Sequence, residues 1–101
     1  MSGSQYFIRK KALEDLERIW IYTAKHWSLK QADRYYKLII DEIEFVADHF
    51  MSGKSLEHLK HGYRSTIVKS HIIFYKKAED DKVEIVRILH QRMDIENQLD
   101  E

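Results

Sequence analysis

The chain has 101 residues, with 17 Lys and Arg balancing 17 Asp and Glu, and it contains neither Cys nor Pro. That length supports one domain with one modest core, and 44% apolar with 34% charged residues excludes a disordered chain. Without Cys there is no disulfide framework, thiolate nucleophile or Cys-ligated zinc site. No window approaches the eighteen or so uncharged apolar residues of a membrane span, and no basic segment with an apolar secretory core opens the chain, so a cytoplasmic protein with no membrane association is expected. The zero net charge conceals an asymmetry. Between residues 51 and 77, Lys54, Lys60, Arg64, Lys69, Lys76 and Lys77 are offset only by Glu57, whereas residues 78–101 carry a net excess of five acids. Affinity driven by phosphate neutralisation needs a large field of one sign, so strong direct nucleic-acid binding is not expected.

Residues 1–4 read as a disordered start or a cloning remnant, and residues 5–99 as the single domain. Gln5 to Arg9, with Tyr6, Phe7 and Ile8, is strand-like but brief. From Lys11 to Trp27, Leu13, Leu16, Trp20, Thr23 or Ala24, and Trp27 recur at helical spacing. Ser28-Leu-Lys-Gln31 has capping-box spacing and starts a second helix, whose apolar stripe is Ala32, Tyr36, Ile39, Ile43, Val46 and Phe50. The two helices form an antiparallel hairpin. Met51 to Gly62 loses the period and reads as loop. Tyr63–Lys69, His71–Lys77 and Val83–His90 are rich in β-branched and aromatic residues and read as strands. Simple alternation in the last places Val83, Ile85 and Leu89 on one face and Val86 and Ile88 on the other, the pattern of an interior strand. The fold class is therefore α+β, ordered β-α-α-β-β-β, a small mostly antiparallel sheet with the helical hairpin packed on one face.

Several blocks carry a family resemblance. They are Ala12-Leu-Glu-Asp-Leu16, Tyr22 with Trp27-Ser28, Gln31-Ala32 with Tyr35 or Tyr36, Gly62-Tyr-Arg64, His71-Ile-Ile-Phe-Tyr75, and the terminal Arg87-Ile-Leu-His-Gln-Arg-Met-Asp94. Together they resemble the ParE branch of the RelE/ParE superfamily of type II toxin-antitoxin systems, over nearly all of the chain. The resemblance implies a cytoplasmic toxin, not an enzyme, that inhibits DNA gyrase by trapping its cleavage complex. It implies a co-encoded ParD-like antitoxin that lays an amphipathic segment along the toxin, with a homodimer or hetero-oligomer as the assembly, and it implies no cofactor.

Two alternatives stay open. One is a RelE-like endoribonuclease cleaving mRNA, which needs a base, an acid and cations on the phosphate; Arg64, Arg87 and His90 are its candidates. The acidic tail and the Met93-Asp94 pair count against it, because such sites are basic. The other is a non-toxic antitoxin-binding module serving promoter regulation. Arg87, interrupting an apolar strand, calls for a carboxylate such as Glu84 or a tail acid, since a buried Arg is rarely unpaired. His90 reads more readily as a hydrogen-bonded strand end than as a base. Arg92, Met93 and Ile95 are candidates for docking a target, against a reading in which Met93, Ile95 and Leu99 cover the core. Tyr22, Trp27, Tyr35 and Arg64 are the antitoxin-binding candidates. Glu57-His58 with His61 has too few companions for a metal site, so no metal is expected.

Overall fold

A computed structural model describes residues 5–93 and 95–99. Strand β1 is Tyr6–Ile8, helix α1 Lys10–His26 and helix α2 Leu29–Asp48; a single 3-10 turn, Phe50–Ser52, precedes β2, Lys54–Ser55. Then come β3, Arg64–Val68, β4, His71–Lys77, β5, Val83–His90, and a short helix α3, Ile95–Leu99. The sheet order is β1-β5-β4-β3-β2, antiparallel except for β1 beside β5. The expected α+β hairpin-on-sheet architecture is present, with two additions: β2, inside the segment expected to be loop, and α3 in the tail. Two residues are too few to show a strand period, which is why β2 left no mark in the sequence.

The reversal between the helices is tight because two short devices meet there. The Trp27 N–H closes α1 on the Thr23 carbonyl, and the Ser28 Oγ immediately caps α2 by accepting the Gln31 N–H at 3.0 Å. The buried stripe of α1 is rotated from the expected one. Ala12, Leu16 and Thr23 are buried with Ile19 packed beside them, while Leu13 is 50% exposed and Trp27, past the helix end, lies in solvent. Stripes one residue apart are separated by only about 100° on a helix, and the observed rotation brings the Asp15 carboxylate onto the sheet. In α2, Ala32, Ile39, Ile43 and Val46 are buried as the pattern implies, but Tyr35 turns inward and Tyr36 outward.

Simple alternation also fails in β5. Phe74 pairs with Arg87 and Tyr75 with Ile85, so Val86 is an extra residue in a bulge. The bulge reverses the phase. Val83, Ile85 and Ile88 join Ile73, Tyr75 and the helices in one core, while Val86 and Leu89 join Leu56, Tyr63, Phe74 and Leu99 in a second. Ile95 and Ile72 pack against that second cluster. The end of the chain thus closes a core of its own. Gly53 is sterically fixed, because a Cβ there would lie 2.0 Å from the buried Tyr75 hydroxyl, which donates to the Phe50 carbonyl at 2.9 Å.

β1 accompanies β5 only as far as Ile85, where the Arg9 N–H takes the Ile85 carbonyl. Beyond that point Asp15 of α1 serves the strand. Its Oδ2 accepts the Ile88 N–H at 3.0 Å and Arg87 Nε at 2.8 Å, and its Oδ1 accepts Arg87 Nη2 at 2.8 Å. The expected acid for Arg87 was Glu84 or one from the tail; Glu84 is instead paired with Arg9, which follows β1 directly beside it. Among the described tail residues, Gln98 offers its backbone and side-chain oxygens to Arg87 Nη1, each at 3.4 Å, while the tail acids Asp94, Asp100 and Glu101 lie outside the described residues. A buried bidentate pair of this kind satisfies both partners in a low-dielectric site and binds α1, β5 and α3 into one unit.

Candidate functional site

The tip of the helical hairpin overhangs one end of the sheet and leaves a cleft of about 700 Å³. From the helices it is lined by Tyr22, Thr23, Trp27, Gln31, Tyr35 and Leu38, with Asp15, Arg18 and Ile19 deeper along α1. From the sheet come Lys69, Ser70, His71, Ile88, His90 and Met93. Tyr22 is 60% exposed and Trp27 76%, so large aromatic surface stands open to water where the chain could have buried it. Exposed apolar surface of this kind, interleaved with polar groups at fixed places, is what a partner site offers.

The floor is a rigid polar chain. The Tyr35 hydroxyl donates to the Val68 carbonyl at 2.9 Å, which leaves its oxygen to receive His71 Nδ1 at 2.7 Å. His71 is thereby held as the Nδ1–H tautomer, edge-on to the His90 ring at 5.3 Å between centroids. The lone pair of His90 Nδ1 accepts the Arg92 N–H at 3.1 Å, which fixes the turn leaving β5. Burial pushes the His71 value down to about 4, the charge of His90 adds to this, and Asp15 opposes it weakly. Burial likewise raises the Tyr35 phenol above its ordinary value.

The sign of the His71 effect is definite. Its folded value lies below the ordinary 6.5, so as the pH falls the unfolded chain takes up the proton first. Stability supplied by neutral His71 is present above about pH 6.5 and is lost as the pH approaches 4. The urea midpoint of the protein is expected to fall more between about pH 7.5, above this window, and about pH 5, well inside it, than that of His71→Gln. Equal falls would remove His71 from the account.

Of the candidates for antitoxin binding, Tyr22, Trp27 and Tyr35 come together in the cleft. Arg64 stands apart, its Nη2 donating to the Met51 and Gly53 carbonyls at 3.1 and 2.7 Å beneath the Phe50 ring. Met93 lines the cleft and Arg92 is exposed next to it, whereas Ile95 packs on the second core. The residues proposed for ribonuclease chemistry do not converge. Arg87 is spent in its buried pair, and Arg64 lies at the end of β3 opposite Val68, whose β4 partner His71 pairs in turn with His90. Four residues of strand correspond to about 13 Å, too far for one phosphate to be shared.

Glu57 holds the turn before β3: its carboxylate accepts the Gly62 N–H and pairs with His61, and these bonds keep it below the ordinary carboxylate value. Gly62 has φ +81°, which suits glycine. Among the described residues no cluster of His, Asp and Glu is arranged to hold a metal ion, and no helix is long and apolar enough to cross a membrane. Asp15, Arg18, Lys69 and His71 were not foreseen as site residues. The one usable signal was Asp15 on the inner flank of an apolar helix, matched by an Arg on an apolar strand.

A family model described as ParE toxin of type II toxin-antitoxin system, parDE, matches residues 6–95. Toxin ParE1 of Caulobacter vibrioides is 38% identical over 88 residues, covering 87% of this chain and 90% of that one. Toxin ParE1 of Mycobacterium tuberculosis H37Rv is 32% identical over 97 residues, covering 96% and 99%. The same fold occurs in a solved structure titled as a chromosomal ParDE TA system from P. aeruginosa, with a TM-score of 0.74 at 14% identity over 89% of this chain and 98% of that one.

Proposed function

This chain belongs to the ParE toxin family of type II toxin-antitoxin systems, and we propose that the free protein poisons DNA gyrase and is silenced when its co-encoded antitoxin fills the cleft at the hairpin tip. The observation that carries the cleft assignment is the exposed aromatic pair, Tyr22 and Trp27, over a floor of tightly bonded side chains. A preformed apolar groove suits an amphipathic segment that folds as it binds, because the ordering cost falls on the segment alone. An inhibitor is favoured over a nuclease by the dispersal of Arg64, Arg87 and His90. Met93 in the cleft wall and Arg92, exposed next to it, are the residues we assign to the gyrase contact.

Purified protein at micromolar concentration is expected to inhibit gyrase supercoiling and to leave linear DNA after denaturation of the complex, and stoichiometric antitoxin is expected to restore supercoiling. Full supercoiling at antitoxin-free micromolar concentration would overturn the gyrase assignment. Prompt cleavage of mRNA on induced expression would instead move the protein to the ribonuclease class.

A further inference from the structure

We infer that Lys69 and Arg18 form an anion-accepting subsite in the cleft, selecting an antitoxin segment that carries a carboxylate beside its apolar anchor residue; this rests on the cleft being the antitoxin's seat. Among the described residues lining the cleft, Asp15 is the only acid, and its charge is compensated by the buried Arg87. The remaining fixed charges are both positive. Arg18 approaches Asp15 through Nη1 alone, at 3.4 Å, and its side chain is 70% exposed. Lys69 is exposed on the opposite wall, in the turn between β3 and β4.

The backbone at Lys69 is the second observation. Its φ is +55°, a left-handed conformation that a side chain with a Cβ adopts at a cost and that Gly or Asn would take more easily. A long cationic side chain stands at a turn where the fold alone favours a smaller residue. Placed across from Arg18 over the floor of Tyr35 and His71, it pairs with a carboxylate presented by an occupant whose apolar side chain lies against Tyr22, Trp27 and Leu38. Charge complementarity of this kind sets register and rejects apolar segments lacking the acid.

Calorimetric titration of the full-length co-encoded antitoxin into the full toxin, at about 50 and about 500 mM salt, tests this. Lys69→Gly is expected to leave the melting temperature of the free toxin equal or higher, because the turn is relieved, yet to weaken binding about tenfold at low salt and flatten the salt dependence. Arg18→Gln is expected to weaken binding similarly, and Lys69→Arg to retain it. If Lys69→Gly and Arg18→Gln both bind within about twofold of the parent with its full salt dependence, the subsite is refuted. In that case a large loss in Trp27→Ala would show that the cleft reading itself survives, and no loss there would remove both. Self-association of the toxin that Lys69→Gly abolishes, with antitoxin affinity unchanged, would assign the cleft to a second copy and overturn the inference.

Discussion

Replacing Asp15 by Ala is expected to lower the melting temperature by about 12–40 °C, a large loss for a single side chain. The substitution takes the Asp15 carboxylate from the buried Arg87 guanidinium and from the Ile88 N–H. Breaking one side of a buried pair costs about 3–5 kcal/mol, against about 5–15 kcal/mol for the whole stability of a typical domain. At about 4–8 °C per kcal/mol for a domain of this size, the fall follows. The pair Asp15→Leu with Arg87→Met separates lost charge from lost packing. It is expected to recover much of the loss but not all, because the Ile88 N–H still lacks a partner. A double variant as unstable as Asp15→Ala would show that the fault lies in packing, and the electrostatic account would fail.

Removing residues 94–101 is expected to destabilise the protein by about 3–5 kcal/mol. Leu99 is 4% exposed in the second core, Ile95 packs beside it, and the Leu99 carbonyl accepts Lys60 Nζ at 3.0 Å. Truncation uncovers Phe74, Val86 and Leu89, and takes the Gln98 oxygens from Arg87. Arg92→Ala with Met93→Ala touches neither core and is expected to shift the thermal midpoint by only a degree or two, in keeping with surface substitutions. Thermal melts and gyrase assays on both variants distinguish their roles. Loss of gyrase inhibition in the double Ala variant at unchanged stability would support docking by residues 92 and 93. Full inhibition there would confine the tail to the fold.

The architecture was readable because its signals are long and local. Twenty residues of α2 repeat one stripe, Ser28 has the chemistry its N-cap needs, and β4 and β5 are dense in β-branched residues. What escaped was short or relational. The Val86 bulge changes the face of every later residue in β5, yet an extra residue in a run of apolar ones leaves the composition unchanged. The rotation of α1 was decided by Asp15 meeting Arg87, residues 72 positions apart, and a stripe reading has no term for such a partner. The cleft is relational too. Trp27 reads as core by residue type and is exposed only because the helix ends one residue earlier, and His71 gains its character from Tyr35 and His90 on other elements.

The α1 carboxylate that meets β5 beyond the end of β1 has a further consequence. Where β1 stops, β5 would present a bare margin of backbone donors and acceptors, the kind of edge on which a stray strand from another molecule can grow. Asp15 occupies that margin at Ile88, and the charged pair it makes with Arg87 is a poor template for strand addition. The acid is therefore a guard against aggregation as well as a brace. Under the proposed reading, in which the antitoxin fills the cleft, the free toxin must stay dispersed while that cleft is bare, and closing the sheet's margin removes one route by which it would otherwise be lost.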